Sequence, residues 1–126
     1  MNEAPFIFGG ENMSGGAVVY ATLPARIANK QDLLAELQKQ LRFPDYFGGN
    51  WDALEECLQD LSWLPVGRVV LTHADVPLVH DVADAKTYLA ILADGVCRMS
   101  RSEHHPIVAV FPVEFREQAE WLLRLK

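Results

Sequence analysis

Apolar residues along this chain fall into two patterns that take turns, compact β-branched runs and stripes spaced by three and four. Residues 17–23 (Ala-Val-Val-Tyr-Ala-Thr-Leu) are a run of the first kind and predict a strand. From about Lys30 to Leu41 the apolar positions are Leu33, Leu34, Leu37 and Leu41, one face of a helix that Asn29 can cap and Pro44 stops. Trp51, Leu54, Leu58 and Leu61 repeat the spacing and predict a second helix, with Pro65 and Gly67 barring its continuation. Arg68–Thr72 is nearly all apolar, the pattern of a strand buried on both faces. A longer helix from about Asp81 to Met99 carries Val82, Leu89, Leu92 and Val96 among its apolar positions. A strand over Pro106–Phe111 follows, then a last helix over Val113–Leu125 with Phe115, Ala119, Leu122 and Leu123 inward.

Strands separated by helical stretches favour parallel pairing, because a parallel return needs a long crossover. The expected fold class is therefore α/β, a small three-stranded parallel sheet packed with helices. Residues 1–16 contain Gly9, Gly10, Gly15 and Gly16 and are expected to form a loop-rich leader, in which Phe6–Phe8 adds at most a short extended piece to a sheet edge. The chain has 126 residues, enough for one domain with a core of its own.

The second helix is where charge changes the picture. Its polar face is Asp52, Glu55, Glu56 and Gln59, and the whole stretch 43–61 contains five carboxylates and no Lys, Arg or His. Pairing of opposite charges at i,i+4 would reward mixing the signs, so a one-signed face beside a turn bearing Tyr46 and Phe47 is suited to docking into a basic cleft. Gly48 and Gly49 permit a tight turn, Asn50 is a good N-cap, and Asp52 sits in the first turn, where the helix dipole favours negative charge. The formal net charge of -6, with no dense basic patch, disfavours nucleic acid as a partner and agrees with a basic protein.

Other chemistries fit the residues poorly. A phosphate site at the Gly-Gly turn lacks both G-x-x-x-x-G-K-[ST] and G-x-G-x-x-G, and Asp52 would repel the anion. A calcium loop from Asp45 to Glu56 would put Phe47 and Gly49 where oxygen ligands are needed. Cys57 and Cys97 form no C-x-x-C motif and are expected to be buried, reduced thiols. His73, His80, His104 and His105 are expected on surfaces or loops, so neither a metal site nor an enzyme is expected, and no cofactor is called for. No apolar run is long enough to span a membrane, and Met-Asn-Glu-Ala-Pro has no signal-peptide pattern, so a cytoplasmic location is expected.

The 15 residues Pro44-Asp-Tyr-Phe-Gly-Gly-Asn-Trp-Asp-Ala-Leu-Glu-Glu-Cys-Leu58 resemble the barstar family, intracellular inhibitors of secreted ribonucleases of the barnase type. The resemblance implies a barstar-like fold over a single domain, with residues 113–126 as a C-terminal helical addition. It also implies a loop and helix that plug a nuclease active site, so that the partner is a basic ribonuclease and the free protein is a monomer. The partner-binding residues it implies are Tyr46, Phe47, Gly48, Gly49, Asn50, Asp52, Glu55 and Glu56, with Asp94 on the next helix as a further acid. Tyr46 would stack where an RNA base lies, and the carboxylates would stand in for phosphates. Glu56 takes the place of the family's central Asp, Glu55 replaces an aromatic, and Phe47 lacks a Tyr hydroxyl, departures that point to a different cognate nuclease. The alternative is a module of the same fold that docks a partner other than a nuclease.

Overall fold

The computed structural model describes residues 5–9 and 17–125. Most of the leader expected over residues 1–16 lies outside the described residues. The elements are β1 (Ile7–Phe8), β2 (Ala17–Leu23), α1 (Lys30–Leu41), α2 (Trp51–Leu58), β3 (Arg68–His73), α3 (Val82–Met99), β4 (Ile107–Phe111), a 3₁₀ turn at Val113–Phe115, and α4 (Arg116–Arg124).

All strand pairs are parallel and the sheet order is β1-β4-β3-β2. The expected architecture is corrected in one respect: the sheet has four strands rather than three. Two residues, Ile7 and Phe8, pair with Val110 and Phe111 on the free edge of β4. So short a segment carries no periodicity of its own. It is a strand because an edge of unpaired backbone groups lies beside it.

The register aligns Ala21, Leu71 and Ala109 in one row, and further along Leu23 pairs with His73, whose ring stacks on Phe111. Side chains of one strand parity share a sheet face, and this face, with Val19, Val69 and Ile107, is the sheet side of the core. Leu33, Leu34, Leu37 and Leu41 of α1, Leu54 and Leu58 of α2, and Leu89, Leu92 and Val96 of α3 close the core from the helical side. Val82, grouped with the apolar stripe of α3, is instead exposed at the first turn.

Local rules set the helix ends. Asn29 Oδ1 accepts from the Asp32 amide at 2.8 Å and opens α1, and Arg42, with φ 60°, closes it in the left-handed region. Asp81 Oδ1 accepts from the Asp84 amide at 3.1 Å and opens α3. The acidic helix α2 ends at Leu58, sooner than its stripe predicts. Leu61 continues the apolar spacing and is fully buried, yet it reaches the core from a left-handed residue (φ 57°) that reverses the chain.

Candidate functional site

The site is built on the segment between α1 and the end of α2. The Phe47 amide donates to the Pro44 carbonyl at 2.9 Å, closing a turn with Asp45 and Tyr46 at its tip, both exposed. Tyr46 is 72% exposed, whereas Phe47 is 9% exposed and packs on Phe43 with ring centroids 4.8 Å apart. The expectation of two aromatics offered to a partner is thus corrected to one. Phe43 also meets Trp63 edge-on at 5.9 Å, so Phe47 is drawn inward by an aromatic cluster whose third member lies beyond α2.

Gly49 has φ +71°, a backbone that L side chains rarely adopt, although a Cβ there would meet nothing within 4 Å. Its role is conformational, not steric. Gly48 is exposed and shows no such demand. Asn50 then starts α2, its Oδ1 accepting from the Ala53 amide at 2.8 Å.

On α2, Leu54, Cys57 and Leu58 turn inward, which holds Asp52, Glu55 and Glu56 on the opposite, exposed face. Among the described residues, none of these three carboxylates is ion-paired or hydrogen-bonded through its side chain. Lys30 lies close by, with Nζ 5.2 Å from the centre of the Trp51 ring, a cation–π contact that occupies the indole rather than an acid. Burial, then the charges of Asp60 and Glu56, push the Cys57 thiol up, so it stays protonated at neutral pH.

Asp94 behaves differently. Its Oδ2 accepts from Gln59 Nε2 at 3.1 Å and from Arg98 Nε at 3.0 Å. It lies next to the end of α2, where its charge is paired within the protein and joins α2 to α3. The unpaired row therefore runs along α2 alone.

Asp60, Cys57 and Gln59 were not among the expected partner-binding residues. Asp60 and Cys57, with Glu56, Tyr46, Phe47 and Ala53, line a notch of about 130 Å³ between the turn and the helix. The spacing from Glu56 to Asp60, one turn, carried that signal. Gln59, grouped only with the polar face, proves to be the bridge to Asp94.

The histidine and cysteine expectations are corrected in part. His73 is 1% exposed, stacked on Phe111 at 3.9 Å, with Nε2 2.7 Å from the Tyr88 hydroxyl and Nδ1 3.1 Å from the Val110 carbonyl. His105 is also buried, with Nε2 3.0 Å from the Leu64 carbonyl. Both are strand-associated core residues held by ring hydrogen bonds to neighbours that a linear pattern does not show. Cys57 is buried but Cys97 is exposed on α3. Among the described residues, no group of three or more His, Cys, Asp or Glu could hold a metal ion, and no helix is long and apolar enough to cross a membrane.

The family model described as Barstar (barnase inhibitor) matches residues 18–112, well over half of the chain and the whole of the turn and α2. No curated protein matches the chain.

Proposed function

Because the chain belongs to the barstar family, we propose that it is an intracellular, non-enzymatic inhibitor of a basic ribonuclease, acting by occlusion of the active site. The observation that carries this is the row of exposed carboxylates at Asp52, Glu55 and Glu56, left without a cation by the protein itself, next to the exposed ring of Tyr46. A ribonuclease grips a polyanion with cationic side chains in a cleft. An anionic row on a rigid helix can take the same positions without offering a bond to cleave.

At about 4 Å and an effective dielectric near 20, one such charge pair gains about 4 kcal/mol before desolvation is subtracted. Surface carboxylates that break no internal ion pair on binding forfeit only their hydration in exchange. Tyr46 adds an aromatic ring at the edge of the row, a residue type enriched in interfaces because it offers large, rigid contact area at low entropy cost. Asn50 and Gly49 belong to the site as its frame: they set where α2 begins and hence where Asp52 and Glu56 point. No cofactor enters this mechanism, and the protein works in the cytoplasm as a free monomer.

The test is a titration of the purified chain into small basic ribonucleases with an RNA substrate. Stoichiometric loss of cleavage, relieved by excess RNA, is the expected result. A nuclease bound with cleavage intact, or a panel in which none is bound, would transfer the family fold to a different, non-nuclease partner.

A further inference from the structure

A second cavity, of about 340 Å³, lies between the loop that follows β2 and the loop that follows β3, outside the carboxyl ends of both strands. It shares no residue with the notch beside Tyr46. Open α/β sheets place small ligands beyond that end of their strands, and the volume is at the small end of the roughly 300–1,000 Å³ of small-molecule clefts. Ile27, Val76, Leu78 and Val79 make its walls mostly apolar, and Asp75 and Arg26 interrupt them with one charge of each sign. Asp75 Oδ2 accepts from the Arg26 amide at 3.0 Å, and the Leu78 amide donates to the Ile27 carbonyl at 3.2 Å, so the two loops are tied twice. Each tie uses a residue in the left-handed region, Arg26 at φ 68° and Leu78 at φ 65°, and is held against backbone strain. Asp75 Oδ1 is buried and accepts no hydrogen bond. The exposed Arg26 side chain is in no ion pair among the described residues, although its own amide meets Asp75.

We propose that this cavity is a binding site for a free α-amino acid with an aliphatic side chain. The ligand's ammonium meets Asp75, its carboxylate meets Arg26, and its side chain lies on the apolar walls. A buried carboxylate oxygen without a donor is a standing cost to the fold, and an ammonium supplies the charge-assisted N–H that Oδ1 lacks. That oxygen lies below the wall rather than in the mouth, so it meets the donor through a small turn of the carboxylate about the bond that Oδ2 keeps to the Arg26 amide. The guanidinium is a planar fork that matches a carboxylate by two parallel bonds. The starts of α1 and α3 beside the cavity are capped by the protein's own Asn29 and Asp81, which leaves Arg26 to take the ligand's carboxylate. Charge decides against simpler occupants. A plain amine would face the like charge of Arg26, and a phosphate or fatty acid would face Asp75. A ligand carrying both signs on neighbouring atoms and an apolar branch satisfies all three parts of the cavity.

The probe is L-leucine added to the full chain, with the methyl resonances of Val76 and Leu78 followed by NMR. A saturable shift is expected with leucine. Leucinamide, which lacks the carboxylate, and N-acetyl-leucine, which lacks the ammonium, are each expected to bind about 10-fold more weakly, the loss of one charge-assisted contact. Asp75→Asn keeps an acceptor for the Arg26 amide but turns a donor toward the ammonium, and Arg26→Gln removes the guanidinium from an exposed side chain. Each variant is expected to weaken leucine binding about 10-fold, while Glu117→Gln on α4 binds as the parent does. Should Asp75→Asn fail to fold, Arg26→Gln and the two leucine derivatives decide the matter alone. No saturable shift at millimolar leucine overturns the proposal. So does equal binding of leucine and its two derivatives, or parental affinity in both variants. None of these outcomes depends on whether the chain inhibits a ribonuclease.

Discussion

At the scale of single residues, the partition between partner and core is decided by neighbours that lie far away in sequence. Tyr46 and Phe47 are adjacent aromatics, yet one points to solvent and the other packs on Phe43, which is itself held against Trp63. The acids Asp52, Glu55 and Glu56 could be placed from spacing alone, because Leu54 and Leu58 dictate the inward face of α2. The pairing of Asp94 with Arg98 lies in the i,i+4 spacing of α3 itself, but its bond from Gln59 could not be placed, since that depends on how α3 lies against α2. Glu56→Ala and Asp52→Ala are each expected to weaken binding of an inhibited nuclease by 10-fold or more, on the order of 2 kcal/mol, a hot-spot scale to which the barnase–barstar pair itself contributes. Calorimetric titration of each variant checks this, and parental affinity in both would remove these acids from the site.

His73 gives a separate prediction for stability. Burial lowers its pKa from 6.5 to about 3, opposed in part by hydrogen bonds with backbone at Val110 and Leu71. The folded protein therefore holds the ring neutral, with Nδ1–H donating to the Val110 carbonyl and Nε2 accepting from Tyr88. Between pH 6.5 and 3 the unfolded chain binds the extra proton, so stability is complete above pH 6.5 and falls by about 1.4 kcal/mol per pH unit below it. On that slope the loss at pH 4.5 is about 3 kcal/mol relative to neutral pH. Urea unfolding of the parent and of a His73→Phe, Tyr88→Phe double variant at pH 7 and 4.5 isolates this contribution. The parent is expected to lose about 3 kcal/mol more than the variant on acidification, and equal losses would assign the acid sensitivity to carboxylates instead.

At the scale of elements, the order of three strands and four helices is legible in the chain because each carries a full period of its own pattern. Leu33, Leu34, Leu37 and Leu41 mark α1, and the apolar run Val69–Leu71 marks the central β3. What is not legible is set by tertiary partners. β1 exists through its pairing with β4, and α2 stops at Leu58 although Leu61 keeps the rhythm, since burial of Leu61 is achieved after the chain reverses. The start of α2 is local, and its cap is testable. Asn50→Ala removes the acceptor for the Ala53 amide and is expected to cost about 1 kcal/mol of folding stability, while Asn50→Asp keeps an acceptor and most of the stability. A parental denaturation midpoint in Asn50→Ala would mean that packing of Leu54 and Leu58 alone fixes the helix start. Gly95 of α3 faces the same helix from the other side. A Cβ there would lie 3.3 Å from Leu58 Cβ, so the glycine sets how closely α3 approaches the element that carries the acids.

At the scale of the whole molecule, the charges form a field rather than a set of contacts. The formal net charge is -6, and the two ion pairs among the described residues, Arg98–Asp94 and Arg116–Glu120, lie on α3 and α4. The acids of α2 are left out of such pairs, so their negative charge is not offset by an ion pair on the face proposed to meet the nuclease. A basic protein approaching from beyond contact range is drawn and oriented by that potential, as in the barnase–barstar pair from which the generalisation is partly drawn. Mobile ions cut the range: the Debye length is about 10 Å at 0.1 M salt and about 3 Å at 1 M. The association rate with an inhibited nuclease is therefore expected to fall at least ten-fold between low salt and about 1 M, with the dissociation rate changing far less. Stopped-flow mixing across a salt series reads both rates. Because steering acts before contact, Asp52→Asn and Glu55→Gln together should flatten the salt dependence of association as well as lowering the rate in dilute buffer. Were the rate insensitive to salt, or the flattening produced equally by neutralising Glu114 and Glu117 around the start of α4, the α2 carboxylates would not be the source of the attraction, and occlusion of a cationic cleft would lose its physical basis.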